Sequence, residues 1–531
     1  MISARRGFKL EGCIARLSQR SLSFVEPTPT GIREQSLTLT MSSNVESEAT
    51  IDPVAVIRLV RQLLSGPGES LNTSHTSDHQ SCARGEQTSE GIQEDAGCLL
   101  WDLATLEEAA FIMADNYICD ILPVIMEHGS DRLVEISTGI LGNLACHDTL
   151  KARLLTAPLK GAILKVALLR NNPACLTEVC RLLSSLLYTD EAHEWLQDVL
   201  QFSTLERIAW IMENTLNNGL FERACQLISQ VASTSSEAVS TLVRHPFLGI
   251  LSNCLQQSTQ ILAEHGTGGS GWDSPSTAVE DETFPGPNTI QSAFDALEAI
   301  AEDAGGARAI AENQQLVASL LSVLQAPAHL PVRGRAAALI AELDTEEFHR
   351  PVVQDAGAMH TLLSLVVTAS SDEDYGEACW ALLAAVARFM QTVRPPWEVL
   401  CEIAKGSQEL AKAGTQQIDL VAPEESSTAV RRVAYTLRQL SALMEQCANQ
   451  LAQDCPSEAQ TGDQMKYGPA EPVEQLQGNR SDLEQLQSGK AHAENNGEKQ
   501  GKQQRSSGLE RLRRAHIIFQ AAAEHIVNMH C

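Results

Sequence analysis

The sequence contains no C-x-x-C pair, although it has 14 cysteines in 531 residues. Structural zinc sites and redox-active dithiols use closely spaced cysteines, so neither is expected. The cysteines are scattered and no secretory signal is recognisable, so a disulfide framework is not expected either. We interpret them as reduced, small apolar core residues of a protein that works in the nucleus or the cytoplasm.

Long apolar runs and aromatic residues are also scarce. No stretch of about 18 apolar residues occurs, so we do not expect a helix that spans a membrane. Aromatic residues make up 4% of the chain, whereas hydrophobic residues make up 43%. Because aromatic and β-branched residues are the ones that favour strands, a composition rich in Leu and Ala predicts an all-α fold.

Positive charge is in short supply. The chain has 39 Lys and Arg against 67 Asp and Glu, which gives a formal net charge of -28. Nucleic acids and anionic membranes bind surfaces rich in Lys and Arg, so we expect neither as a partner. A charge-steered partner would be a protein with basic or extended segments, although the acidity is equally consistent with a role in solubility alone.

No grouping of residues typical of an enzyme stands out. The hexapeptide at 266–271 matches G-x-G-x-x-G, but no strand-like segment precedes it, as a dinucleotide site requires. His75 and His79 have the spacing of metal ligands on a helix, but no further ligands lie nearby in the sequence. Carboxylates are abundant, and no pair is distinguished as acid and base. We predict a non-catalytic chain without cofactor or metal.

Changes in composition divide the chain into segments. Stretches rich in Gly, Ser, Gln and Glu contain too few apolar residues to offset the entropy of ordering, which predicts loops or disordered linkers. The predicted segments are a leader or transit-like region at 1–40, a short helix plus disordered linker at 41–97, a first repeat block at 98–263, a loop insertion at 264–289, a second repeat block at 290–452, a disordered linker at 453–507 and an amphipathic helix at 508–531. If residues 1–40 act as a transit peptide, the destination is an organelle; Met41 is the alternative start.

An internal repeat of about 42 residues is the strongest feature of the sequence. The pair Leu141 and Leu144 aligns with Leu183 and Leu186. In the second block, the segment from position 296 aligns without gaps with the one from position 338. A period of about 40–47 residues with two or three helices per unit is typical of armadillo and HEAT arrays. The sequence therefore predicts an all-α, armadillo/HEAT-type α-solenoid with disordered linkers.

Two helix starts carry recognisable signals. Thr105-x-x-Glu108 predicts a capping box, in which the two side chains bond each other's backbone N–H groups. Asn172 before Pro173 predicts an N-cap followed by proline at the first helical position.

One group of motifs resembles a known family. The motifs are L-W-D-L at 100–103, I-L-G-N-L-A-C at 140–146 and R-L-L at 181–183. Together, between Cys98 and Ser233, they resemble the serum amyloid A-like protein family. The resemblance implies armadillo-type helices and a non-catalytic protein of the nucleus or the cytoplasm, linked to cell proliferation in animals. The second repeat block matches general armadillo repeats better than it matches this family.

Three residues fall at the peptide-binding positions of armadillo proteins such as importin-α. Two of them have the expected residue type and one does not. In those proteins the third helices line a groove, where an Asn clamps the peptide backbone and a Trp holds its side chains. Asn143 and Trp380 match these positions, and Glu342 occupies an Asn position in a later unit. We expect the three to line a partner-binding groove. The alternative is that Asn143 bonds between repeats and Trp380 fills the core.

The C-terminal helix is predicted to be amphipathic. Leu512, Phe519 and Ile526 fall on one face, and arginines lie on another. The helix would either capture a partner in a groove or cap the last repeat, and the sequence leaves both open.

These observations favour a non-catalytic protein-binding scaffold or adaptor of the armadillo type, with a regulatory role. An importin-like carrier for basic cargo is the alternative, and its Asn ladder is incomplete. An enzyme on a helical scaffold is a second alternative, which lacks any nucleotide, metal or nucleophile signature.

Overall fold

The computed structural model describes residues 51–64, 89–188, 192–265, 284–326, 330–420, 426–454 and 497–530. Every regular element within these ranges is a helix. The predicted leader at 1–40, the G-x-G-x-x-G hexapeptide, and His75 and His79 lie outside them. So does most of each predicted linker, and disorder there remains a prediction.

The described residues form two compact units, 51–332 and 333–530. The helices of the N-terminal unit are α1 (Pro53–Leu64), α2 (Ser89–Leu103), α3 (Glu107–Asp115), α4 (Ile118–His128), α5 (Asp131–Leu144), α6 (Asp148–Lys151), α7 (Ala157–Lys165), α8 (Pro173–Leu187), α9 (Ala192–Val199), α10 (Phe202–Asn214), α11 (Asn218–Thr234), α12 (Ser236–Leu242), α13 (Phe247–His265), α14 (Pro287–Ala301), α15 (Ala304–Glu312) and α16 (Gln314–Gln325). Two short 3-10 helices, Ala152–Leu154 and Ala167–Leu169, follow α6 and α7.

Every regular element of the C-terminal unit within the described residues is also a helix. Its first helix, α17 (Leu330–Leu343), begins three residues before the boundary of the unit. The others are α18 (Glu346–Gln354), α19 (Ala356–Ala369), α20 (Glu373–Met390), α21 (Trp397–Lys405), α22 (Ser407–Leu420), α23 (Ser426–Asp454) and α24 (Gly497–His530).

From α3 to α23 the helices recur in groups of three, and each group has a first, a second and a third helix. Helix α2 takes the place of a third helix before the first full group. In the N-terminal unit the third helices α2, α5, α8, α11 and α14 pack side by side, each on the next. The second helices form a parallel row, with α4 on α7, α10 on α13 and α13 on α16. In the C-terminal unit α20 packs on α23 and α19 on α22. This arrangement confirms the predicted all-α, armadillo/HEAT-type solenoid.

The repeat found in the sequence also sets where helices begin. The first helices α15 and α18 begin at Ala304 and Glu346, 42 residues apart. The second helices that follow them have N-caps at Asn313 and Asp355, also 42 residues apart. Each cap side chain accepts a hydrogen bond from a backbone N–H of its own first turn, as N-caps do.

The third helices of the N-terminal unit are capped in the same way. Ser130, Asn172 and Asn217 each accept a hydrogen bond from the backbone N–H three residues later. The predicted cap at Asn172 is confirmed. The predicted capping box at Thr105 is wrong, because α3 begins after Leu106 and the Thr105 hydroxyl donates backwards to the carbonyl of Asp102 at 2.7 Å.

Three predicted boundaries differ from the helices that are present. Helix α2 begins at Ser89, inside the linker predicted to end at 97, because the Gln93 side chain donates to the carbonyl of Leu63 at 3.0 Å and anchors this polar segment. Helix α14 begins at Pro287, before the predicted end of the insertion at 289, with proline in the first turn. Helix α24 begins at Gly497 instead of 508, since Glu, Lys and Gln are good helix formers that extend a packed helix.

The C-terminal helix α24 packs on α21, α22 and α23. Leu512, Phe519 and Ile526 face these helices and are 1%, 0% and 1% exposed. The predicted apolar face is therefore buried within the C-terminal unit, and in this state α24 closes the end of the stack as a cap. Partner capture by this helix remains a prediction.

Among the described residues, no single helix is long and apolar enough to cross a bilayer. Two bent helix pairs, α3 with α4 and α18 with α19, reach that threshold by length and composition.

Replacing Phe519 with Ala removes a fully buried ring from the apolar face of α24. A change of this kind costs about 3–5 kcal/mol, since it loses apolar burial and leaves a cavity. We expect the free energy of unfolding of the C-terminal unit to fall by that amount, measured by urea denaturation with hydrogen exchange of α24 as the local readout.

Ile517→Ala is the matched control, because Ile517 lies two residues away on the same helix and is 58% exposed. We expect it to change the free energy of unfolding by less than about 0.5 kcal/mol. Equal losses from the two substitutions would contradict the packing of α24.

Candidate functional site

The motifs that carry the family resemblance meet where α2, α5 and α8 lie side by side. A Cβ added at Gly139 would overlap the indole of Trp101, and a Cβ added at Gly142 would lie 2.6 Å from the guanidinium of Arg181. Both glycines of α5 therefore sit beneath large side chains from its two neighbours. They allow the third helices to approach closely.

Asn143 joins three successive third helices. Its Nδ2 donates to the carbonyl of Trp101 on α2 at 2.9 Å, and its Oδ1 accepts from Nη1 of Arg181 on α8 at 3.1 Å. The open alternative, that this side chain bonds between repeats, is therefore the arrangement present. A peptide clamp would need the same two polar atoms, so the groove role predicted for Asn143 conflicts with its bonding.

Arg181 is held by three groups at once. Besides Asn143, its Nε donates to Oε2 of Glu178 at 2.8 Å and its Nη2 donates to the carbonyl of Gly139 at 3.1 Å. The Arg181 and Glu178 side chains are only 19% and 16% exposed. Charge-assisted hydrogen bonds among half-buried groups are strong and geometrically demanding, so they define the register of α5 against α8.

Polar contacts continue along the third helices. Burial lowers the pKa of Arg223 on α11, and the neighbouring positive charge of Arg181 adds to the effect. The hydroxyl of Thr289 on α14 donates to Glu222 at 3.0 Å. We call these polar and charged side chains of the third helices, from Asn143 to Thr289, the polar ladder. The C-terminal unit has an equivalent pair, in which Nη1 of Arg432 donates to Glu377 at 2.5 Å, between α23 and α20.

Trp380 is buried in the core of the C-terminal unit. It is 1% exposed, and its Nε1 donates to the hydroxyl of Ser370 at 3.1 Å. Gly414 on α22 leaves room for the ring, which would lie 3.4 Å from a Cβ at that position. The groove role predicted for Trp380 is therefore wrong, and core packing is the alternative that holds. Glu342 is half-buried near the end of α17, and its groove role remains a prediction.

Large hydrophobic side chains are exposed on the early repeats, and sequence reasoning did not identify them. Nine are at least 47% exposed between positions 99 and 216 of the described chain, and we call them the exposed apolar set: Leu99, Leu106, Tyr117, Val124, Leu169, Tyr188, Phe202, Trp210 and Leu216. Tyr117 and Phe202 stand at the starts of the second helices α4 and α10. An aromatic residue at the start of a helix was the available signal.

The buried thiols have the character of core residues. Burial raises the pKa of Cys175, Cys180 and Cys254 to about 12, and it raises the pKa of Cys225 as well. Thiols with such pKa values are protonated near neutral pH and are poor nucleophiles or metal ligands. Within the described residues, no three His, Cys, Asp or Glu side chains are grouped so that they could hold a metal ion.

This difference predicts selective alkylation. Cys146 is exposed, whereas Cys180 and Cys225 are fully buried. We expect iodoacetamide at neutral pH to modify Cys146 in the folded protein and to reach the other two only in denaturant, as measured by peptide mass mapping. Modification of Cys180 as fast as Cys146 in the folded protein would contradict the packing of α8.

The glycine beneath Trp101 offers a test of the polar ladder. We expect Gly139→Ala to destabilise the N-terminal unit by about 1–3 kcal/mol, because the added methyl group forces the indole or α5 to move. Gly161→Ala on α7 is the matched control, since nothing lies within 4 Å of a Cβ there. We expect it to stabilise the unit by about 0.5–1 kcal/mol through helix propensity. Thermal and urea denaturation measure both, and a neutral Gly139→Ala would contradict the described contact.

No protein-family profile matches the chain. It is similar to protein saal1 of Danio rerio, with 31% identity over 202 residues, which is 35% of this chain and 43% of that protein. It is also similar to protein SAAL1 of Homo sapiens, with 26% identity over 179 residues, 33% of this chain and 37% of that protein. The alignments thus span less than half the length of these curated relatives. Among solved structures, a designed armadillo repeat protein aligns at a TM-score of 0.38 with 14% identity, covering 54% of this chain and 99% of its own.

Proposed function

We propose that this chain is a non-catalytic protein-binding scaffold of the armadillo type, related to the saal1 proteins and acting in the nucleus or the cytoplasm. The observation that carries the proposal is that nine large hydrophobic side chains, the exposed apolar set, face water on the early repeats of the N-terminal unit. Stacked repeats present many side chains at defined spacings, and this arrangement suits the binding of another protein.

The chemistry of the exposed apolar set supports binding. Tyr and Trp are enriched among the residues that dominate the energy of protein interfaces, because they bury a large area and lose little side-chain entropy. The aromatic members of the set are Tyr117, Tyr188, Phe202 and Trp210, and they are 72%, 77%, 68% and 47% exposed. Single exposed hydrophobic residues are common on any protein. Nine such residues, four of them aromatic, lie within about 120 residues of the early repeats, and this number supports an interaction role for these repeats.

The importin-like carrier has less support. Its peptide groove needs free Asn side chains and exposed Trp rings on the third helices. Asn143 has both polar atoms bonded to neighbouring repeats, and Trp380 is buried. An enzymatic role has no grouping of side chains in its favour within the described residues.

The proposal is tested by recovering partners from cells with the tagged full-length chain. We expect the variant Tyr117→Ser, Tyr188→Ser, Phe202→Ser to lose proteins that the wild type enriches, as measured by quantitative mass spectrometry. All three side chains are exposed, so their replacement should leave the melting temperature unchanged within about 2 °C.

The control variant is Val54→Ser, Leu64→Ser, Ile517→Ser, which removes the same number of exposed hydrophobic side chains outside the exposed apolar set. We expect it to retain the partners. If no protein is enriched over the tag alone, or if both variants retain the same proteins, the scaffold proposal fails.

A further inference from the structure

A small cavity opens between the second helices α10 and α13 of the N-terminal unit. Its volume is about 110 Å³, and α10, the loop after it, α11, α13 and Phe284 contribute to its walls. An apolar cavity of about 150 Å³ in another protein takes up benzene. The cavity of this chain is smaller, and its volume suits one aliphatic side chain, either branched or linear.

Six of the ten residues that line the cavity are hydrophobic, and the other four are polar. Met212, Phe221 and Ile250 line it and are 2%, 1% and 6% exposed. Phe284 closes one side and packs edge-on against Phe221, with ring centroids 5.4 Å apart. Leu216 lies at the mouth and is 80% exposed, so an entering side chain would cover apolar surface that now faces water.

One carboxylate lines the cavity, and a second is exposed further along the same helix. Glu213 lines it and is exposed, and Glu206 lies seven residues earlier on the same face of α10. Neither carboxylate takes part in an ion pair or a hydrogen bond within the described residues. Two unpaired carboxylates about 10 Å apart along one helix favour a ligand with two positive charges. That separation equals about three residues of an extended chain.

Trp210 stands between these two carboxylates on α10. The guanidinium of Arg207 stacks 4.4 Å from the centre of its ring. Arg207 in turn donates to the carbonyls of Leu168 and Arg170, at 3.0 and 2.7 Å. The Trp210 ring is therefore held in place by an anchored cation, and 47% of the residue remains exposed. A fixed indole beside a cavity gives a binding segment a rigid apolar wall.

We propose that this face of α10 and α13 binds a short, extended protein segment that inserts one aliphatic side chain into the cavity. Lys or Arg side chains of the segment pair with Glu213 and Glu206, and its chain runs across Trp210. The inference rests on the proposed scaffold function and names both a surface and the chemistry of its partner.

The test uses the full-length protein and a short fluorescein-labelled peptide with Lys-Ser-Ser-Lys-Leu at its centre. Fluorescence anisotropy should show saturable binding below about 1 mM at low salt. Replacing the leucine of the peptide with alanine should weaken binding roughly tenfold or more, because the cavity is left unfilled. Replacing its lysines with glutamates should abolish binding, and higher ionic strength should weaken it.

Two protein variants, each with a matched control, locate the site. Gln257→Trp fills the mouth of the cavity from an exposed position and should abolish binding, whereas Gln256→Trp, on the exposed neighbour outside the lining, should not. Glu213→Lys should weaken binding several-fold. Glu127→Lys, at the matching position near the end of the second helix α4, should leave it unchanged.

The proposal is overturned if the wild type shows no saturable binding, or if Gln257→Trp binds the peptide as well as Gln256→Trp does. It is also overturned if the alanine peptide binds as tightly as the leucine peptide. Recovery of partners from cells separates this failure from that of the scaffold function. If the wild type still enriches proteins that the Tyr117, Tyr188 and Phe202 variant loses, only the cavity proposal fails.

Discussion

The close approach of neighbouring third helices is the constraint on which the N-terminal unit depends. Gly139 and Gly142 make it sterically feasible, and Asn143 and Arg181 fix its register. Leucine and alanine contacts alone would tolerate sliding between helices, because apolar attraction has no direction. A half-buried guanidinium tolerates little sliding, since losing its partners leaves a charge with poor solvation. The stack is therefore held together by apolar contacts and held in register by polar ones.

The same bonding limits what the third helices can offer to a partner. Side chains that would clamp a peptide backbone in an importin-like groove are engaged here between repeats. The Asn143 side-chain nitrogen donates to the carbonyl of Trp101, and its oxygen accepts from Arg181. Hydrophobic side chains instead face water on the second helix α10 and just after it, at Phe202, Trp210 and Leu216. The polar ladder would position these side chains without touching a ligand itself.

The sequence was sufficient for the architecture because the architecture repeats. The period of 42 residues and the leucine pairs recur along the chain, so they can be found by comparing the sequence with itself. The cap at Asn172 follows a rule that involves only its near neighbours in the sequence. Trp380 shows where that reasoning stops. Its position in the repeat matched a groove residue, but Ser370 accepts its N–H and Gly414 makes space for its ring, and neither partner is a neighbour in the sequence. The early start of α2 depends on a distant carbonyl in the same way.

The strong net charge of the chain is a weaker guide to its partners than the location of unpaired carboxylates. Glu178 and Glu377 are bonded to arginines, so each pair has little net field beyond its own repeat. Salt at physiological strength also screens exposed charges beyond about 8 Å. A bound segment would therefore sense mainly the carboxylates it touches. Glu206 and Glu213 are exposed, unpaired within the described residues, and separated by one fixed indole on α10. Specificity for a basic segment would arise from that local arrangement more than from the total of -28.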